Sequence, residues 1–205
     1  MTAVPPPISL SPPDPGAREV FEAAKAEEVV QQWKDELLAH RQKVEEANGG
    51  SCVGVTLCDT ISLSGKSWTA EAANIVATFL KEPFDGTGVP LARGIIVADL
   101  SDTIAKRMTE EGIQVLQTLS DAFTDSNLVD VNLSDNAIGE QAIMACKTVL
   151  TKKSLERLSL CNNGLAGETM ARVADLLTKD EDGTGCIASR LTKLHFHSNM
   201  SGDPG

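Results

Sequence analysis

The sequence predicts an α/β repeat array, with short parallel strands on a concave side, helices on a convex side and a capping helix at the N-terminal end. Three observations predict it. Two units with the same apolar spacing, Leu128–Ile138 and Leu155–Leu165, lie 27 residues apart. A stretch of helical period follows each strand-like unit. The chain is 41 % hydrophobic but only 3 % aromatic, with no Tyr, so its core must be aliphatic, as repeated stacked layers favour.

In chain order, residues 1–16 hold six of the nine prolines and are expected to form a disordered or polyproline-like tail. Residues 17–50 form the expected N-terminal helical cap. Val29, Trp33 and Leu37 sit four apart on one face, and Asn48-Gly49-Gly50 marks the turn that ends it. A partner-binding helix is the alternative reading of this segment.

Residues 51–205 form the expected array of about five repeats. Leu128-Val-Asp-Val131-Asn-Leu133-Ser-Asp-Asn136-Ala-Ile138 and Leu155-Glu-Arg-Leu158-Ser-Leu160-Cys-Asn-Asn163-Gly-Leu165 both fit L-x-x-L-x-L-x-x-N-x-L, the leucine-rich repeat pattern. Its alternating apolar residues point inward from a short strand. Its Asn can bond backbone groups that the turning chain leaves unpaired. Weaker copies run from Leu191 to Asn199, from Ile95 to Thr103 and from Ile61 to Trp68. Leu63, Leu100, Leu133, Leu160 and Phe196 are the equivalent strand positions.

Helices are expected over Ala70–Leu80, Glu110–Leu119, Gln141–Leu150 and Glu168–Leu177. Repeat lengths of 27 residues and more leave room for a full helix on the convex side, as in the ribonuclease-inhibitor-like subtype. Lys81–Leu91 and Lys179–Ser189 are expected as exposed loops. The last repeat stops at Gly205, where its helix should begin, which predicts a fragment of a longer array.

A net charge of −11 opposes phosphate backbones, so no nucleic-acid partner is expected. A basic partner surface and simple solubility are equal readings of that charge. Five cysteines without C-x-x-C spacing argue against a zinc site or disulfide framework and for a reducing compartment, cytosol or nucleus. No apolar run is long enough for an integral membrane segment, and no signal-peptide core precedes the cap. No nucleophile–base–acid set, phosphate loop or H-E-x-x-H occurs, and Gly183-Thr184-Gly185 lacks the Lys of a phosphate loop. His195 and His197 face one way without a third metal ligand, so neither a metal nor a cofactor is expected.

Function is therefore expected on the surface, at the strand-to-helix turns. That edge comprises Ser101, Asp102, Ser134, Asp135, Cys161, Asn162, His197 and Ser198. It is polar and acidic, as a protein-binding surface can be. Asn163 is needed for its turn, whereas Asn162 is expected to face solvent without a core role. Arg107 lies in an extended segment after its strand and is expected to bulge from the edge.

At these residues the chain resembles the Ran GTPase-activating protein family. Val131-Asn-Leu-Ser-Asp-Asn-Ala-Ile-Gly139 resembles its L-S-D-N-A-x-G signature, and Leu160-Cys-Asn-Asn-Gly-Leu165 its N-N-G-L turn. Leu194-His-Phe-His-Ser-Asn-Met-Ser-Gly-Asp203 looks like the L-H-F-H-N-N-M-x-G-D run of plant-type members, and Leu63–Trp68 and Leu100–Asp102 fall where the family has similar strings. The resemblance implies an activator, not an enzyme with its own small substrate. It stimulates GTP hydrolysis by the small GTPase Ran in its GTP-bound form, in nucleocytoplasmic transport, by ordering the catalytic Gln of the GTPase from outside. It implies Asn162 and Arg107 as the GTPase-stimulating residues, with Asp102, Asp135, Ser134 and Ser101 as partner contacts. It also implies a cytoplasmic protein, with the nuclear envelope as a second location. The chain departs from the family at Lys106, where the family has Gly, and has Ser11-Pro12-Pro13 but no Trp-Pro-Pro domain. A non-catalytic interaction scaffold of the same architecture is the alternative function.

Overall fold

The computed structural model describes residues 3–13, 18–84, 88–179 and 187–200. Six strands form one parallel sheet in the order β1 (Ile8–Leu10), β3 (Cys58–Ser62), β5 (Val97–Asp99), β6 (Asp130–Asn132), β7 (Arg157–Ser159) and β8 (Lys193–His195). β2 (Glu19–Phe21) and β4 (Lys66–Trp68), which follow β1 and β3 in the chain, pair in parallel as a small separate sheet. Parallel neighbours need crossovers, and helices supply most of them. These are α1 (Ala23–Ala47), α2 (Ala70–Leu80), α3 (Thr109–Asp121), α4 (Glu140–Ala145), α5 (Lys147–Leu150) and α6 (Gly167–Thr178). α1 packs on α2, α2 on α3, α3 on α4 and α4 on α6, in chain order. The result is α/β with a parallel sheet and a helical layer, compatible with the expected repeats.

From β3 to β8 the register is regular because each repeat places an apolar residue at the same depth, whereas β1 slips by one residue against β3 between Ile8 and Ser9. Leu10, Ile61, Ala98, Val131, Leu158 and Leu194 align across the sheet. The first five are buried, whereas Leu194 is 40 % exposed on the last strand. Leu63, Leu100, Leu133 and Leu160 form a second buried column, and Phe196 continues it half-exposed. Removing such aliphatic area from water is the main driving force for stacking.

Three segments differ from expectation. Within the Pro-rich tail, Ile8–Leu10 is ordered as the edge strand β1, with Leu10 fully buried. The prolines flank it but do not interrupt it, so Ile8 N–H is free to donate to Leu57 O at 3.0 Å. Trp33 Nε1 pins the exit by donating to Ser11 O at 2.9 Å. Second, the cap helix starts at Ala23, because β2 occupies Glu19–Phe21. Val29, Trp33 and Leu37 are buried as their spacing requires, and Gly49 and Gly50 take positive φ beyond its end. Third, the expected Gln141–Leu150 helix is split into α4 and α5 at Cys146, whose φ of −87° and ψ of 7° lie outside the helical range. That repeat is the 27-residue one, and the break returns its chain quickly to β7.

The loop expected at 81–91 is folded back on itself, with Leu91 N–H donating to Glu82 O at 2.8 Å. Residues 85–87 of it, most of the 179–189 loop including Gly183-Thr184-Gly185, and the end of the Leu194–Asp203 run lie outside the described residues. No helix among the described residues is long and apolar enough to cross a membrane.

Candidate functional site: the strand-to-helix edge

Three residues follow each position of the second column, Phe196 included, and each has a different job. The third is the ladder residue: Lys66, Thr103, Asn136, Asn163 and Asn199. Asn136 is fully enclosed. Its Oδ1 accepts from Thr103 N–H at 2.8 Å and Thr103 Oγ1 at 3.0 Å, and its Nδ2 donates to Leu100 O at 2.8 Å. Asn163 Nδ2 donates to Leu133 O at 3.0 Å, and Asn199 Nδ2 to Leu160 O at 3.0 Å. The amide supplies both a donor and an acceptor, which a turn with unpaired N–H and C=O groups requires.

The middle residue of each trio is left-handed: Gly65 (φ 70°), Asp102 (51°), Asp135 (63°), Asn162 (51°) and Ser198 (61°). Gly, Asp and Asn tolerate that region best. Asn162 therefore does have a backbone role, beyond the purely solvent-facing one expected of it. Its N–H donates to His197 O at 3.0 Å, as Asp135 N–H does to Cys161 O at 2.9 Å and Asp102 N–H to Ser134 O at 3.0 Å. This backbone ladder lines the left-handed residues up along one edge.

The first residue turns inward in three of the five trios. Ser101, Ser134 and Cys161 are 7 %, 7 % and 8 % exposed, so Ser101 and Ser134 do not stand out as the partner contacts expected of them. Ser101 Oγ bonds Asp99 Oδ1 at 2.7 Å and lies 2.9 Å from Ser64 Oγ. Ser134 Oγ accepts from Cys161 N–H at 3.1 Å. Their hydroxyls tie one turn to the next.

The outward side chains pair along the edge. Asn162 Nδ2 donates to Asp135 Oδ1 at 2.7 Å. Asp102 Oδ2 accepts from Arg18 Nε at 2.9 Å and Arg18 Nη2 at 2.7 Å, a contact between residues 84 apart that no sequence signal marked. His197 Nδ1 lies 3.1 Å from Ser198 Oγ, and His195 Nδ1 lies 3.5 Å from Ser159 Oγ. Among the described residues no group of three or more His, Cys, Asp or Glu is disposed to hold a metal ion.

Arg107 does not bulge freely. Its side chain is 15 % exposed, with Nη1 3.5 Å from Glu111 Oε2 and Nε donating to Ser67 Oγ at 3.1 Å. Ser67 Oγ in turn donates to Ala105 O. The turn that delivers Arg107 passes through Lys106 at φ 63°, and Arg107 N–H closes it on Ile104 O at 3.0 Å. A left-handed residue here explains why Gly suits the position preceding this Arg. The turn and the start of α4 enclose a groove of about 580 Å³, lined by Ile104, Lys106, Arg107, Asp135, Gly139 and Gln141 among others. The structure therefore brings Arg107 and Asp135 to one groove, and Asp135 and Asn162 into one hydrogen bond. Ser67, Glu111 and Arg18 were missed by sequence reasoning: Ser67 and Arg18 act across repeat boundaries that spacing alone does not mark, whereas Glu111 lies four residues after Arg107 and the i,i+4 spacing could have found it.

No protein-family model matches the chain. Two curated relatives do. RAN GTPase-activating protein 1 of Arabidopsis thaliana is 35 % identical over 101 residues, which is 49 % of this chain and 17 % of that protein. RAN GTPase-activating protein 2 of the same plant is 44 % identical over 61 residues, 29 % of this chain and 11 % of that protein. The matched stretches thus span less than a fifth of either relative's length.

Proposed function

The chain is related to the Ran GTPase-activating proteins, and from that premise we propose that it stimulates GTP hydrolysis by a Ran-type GTPase in its GTP-bound form. The array is read as a leucine-rich repeat solenoid of the ribonuclease-inhibitor-like kind, with α1 as its N-terminal cap. The aligned columns Ile61–Ala98–Val131–Leu158 and the Asn136–Asn163–Asn199 ladder support that reading. The working part is the turn edge, from the Arg107 groove through Asp135 to Asn162, with Asp102 beside it. Cytoplasmic action in nucleocytoplasmic transport, with the nuclear envelope as a second location, is part of the same proposal.

The relationship to two GTPase activators is the observation that carries the proposal. The geometry supports a particular way of acting. The Arg107 guanidinium is tethered to Ser67 and Glu111, which suits docking against the partner more than reaching into its nucleotide pocket. Such an activator works by ordering the partner's own water-positioning group, a preorganisation effect.

Single-turnover hydrolysis by GTP-loaded Ran, with and without this chain, tests the proposal. Acceleration is expected, and its absence overturns it. A non-catalytic scaffold would also bind GTP- and GDP-loaded Ran equally in a pull-down.

A further inference from the structure

Asp135 and Asn162 occupy the same place in successive repeats, 27 residues apart. Both backbones are held. Each residue is left-handed, and each N–H is bonded to the following repeat. The two side chains then meet at 2.7 Å, Asn162 Nδ2 to Asp135 Oδ1. The shape of an amide does not decide which end faces a neighbour, because oxygen and nitrogen are nearly the same size. Charge and proton inventory do decide it. An ionised carboxylate only accepts, so the NH₂ of Asn162 must turn toward Asp135. The charge-assisted bond makes this preference stronger than one between neutral groups.

The other end of the amide follows by elimination. Asn162 is exposed, and no described residue donates to its Oδ1. Asp102, the preceding member of the column, is engaged by Arg18. We infer that Asp135 is a positioning residue: it locks the Asn162 amide so that the edge offers its partner a hydrogen-bond acceptor, matched to an N–H or O–H donor on the GTPase. This rests on the reading above, in which Asn162 faces the GTPase. Asp135 is thereby reassigned from a direct contact to the group that preorganises one.

Asp135→Asn tests the inference, because Asn tolerates the left-handed backbone and the fold is retained. The amide at 162 then has no acceptor-only neighbour and is free to turn over. The single-turnover rate constant at saturating chain is expected to fall about tenfold, with the half-saturating concentration little changed. Adding Asn162→Asp to Asp135→Asn reverses the pair. A carboxylate at 162 accepts from the amide at 135 and still presents an oxygen outward, so the double variant is expected to regain most of the rate. Full rate in Asp135→Asn, or no recovery in the double variant, overturns the inference.

A second readout needs no GTPase. In ¹⁵N-labelled protein, the Asn162 side-chain amide resonances, identified by their loss in Asn162→Gly, are expected to shift on Asp135→Asn. Unshifted resonances overturn the inference even if Ran is activated. Shifted resonances without activation by the unaltered chain overturn the functional reading, and the positioning role with it.

Discussion

Asn163 Oδ1 accepts the backbone N–H of Asn136 at 2.7 Å, while Asn136 Oδ1 accepts that of Thr103 at 2.8 Å. Each ladder residue therefore serves the turn before its own, and neighbouring repeats are stitched at the point where the chain leaves the sheet. The stitches are buried, with Asn136 1 % and Asn163 2 % exposed. Asn136→Ala would strand the Thr103 N–H away from water, whereas the Leu100 carbonyl keeps the Thr103 hydroxyl as a donor at 3.1 Å. A loss of about 2 kcal/mol is expected, since an orphaned buried group costs roughly 1–3 kcal/mol. Urea unfolding checks it: the midpoint should fall with little change in slope.

The positions after the ladder residues carry a second contrast. Gly164 follows Asn163 at φ 67°, whereas Ala137 follows Asn136 at φ 49°. Left-handed backbone costs a Cβ-bearing residue roughly 1–2 kcal/mol, and a new Gly costs up to about 1 kcal/mol in unfolded-state entropy. Ala137→Gly is therefore expected to stabilise by about 0.5 kcal/mol, as is Lys106→Gly, whose φ is 63°. Gly164→Ala should cost about 1 kcal/mol, although its Cβ would only touch Met200 Sδ at 3.8 Å. Thermal unfolding of the three variants would order them, and a destabilised Ala137→Gly would contradict the strain argument.

His40 lies on the buried face of α1, and its Nε2 is the buried side-chain atom left without a hydrogen bond among the described residues. Burial, and then the charge of Lys43, lower its pKa from the ordinary 6.5. The folded chain takes up the proton less readily than the unfolded chain, so the unfolded chain binds more protons as the pH falls through about 6.5. Its neutral burial is harmless above that pH, and stability declines as pH falls toward the folded pKa. The slope from this group is at most about 1.4 kcal/mol per pH unit. His40→Leu should remove that part of the slope, measured as the difference in unfolding free energy between pH 7 and pH 5.

Burial pushes the Cys58 thiol up to about 11 and the Cys146 thiol up to about 12. The thiolate is the reactive form, so both should resist iodoacetamide in native protein at pH 8 and react after denaturation. Peptide mapping of the alkylated sites checks this, and rapid native labelling of Cys146 would show that α4 and α5 open easily.

The repeat itself was legible in the sequence because its signals are local. Apolar spacing within each eleven-residue unit set which residues enter the sheet, and the Asn positions marked the turns. The likeness to Ran GTPase-activating proteins was legible for the same reason, as short strings in order. The side chains of the edge were not legible. Ser101 and Ser134 read as exposed polar residues, yet alternation at the turn sends them inward to bond Asp99 and the Cys161 N–H. Arg107 reads as a bulging cation, yet α3 and β4 supply Glu111 and Ser67 to hold it.

By itself, then, the sequence determined an α/β chain of strand–turn–helix units, the second buried column and the Asn ladder positions, because propensity and periodicity act over a few residues. Tertiary structure alone decided that Ile8–Leu10 becomes a strand, that Arg18 occupies Asp102 and that Asp135 orients Asn162. Those outcomes depend on partners 27 to 84 residues away. Such a partner is chosen by which backbone edge or carboxylate the stacked repeats leave within reach, and no local pattern encodes that.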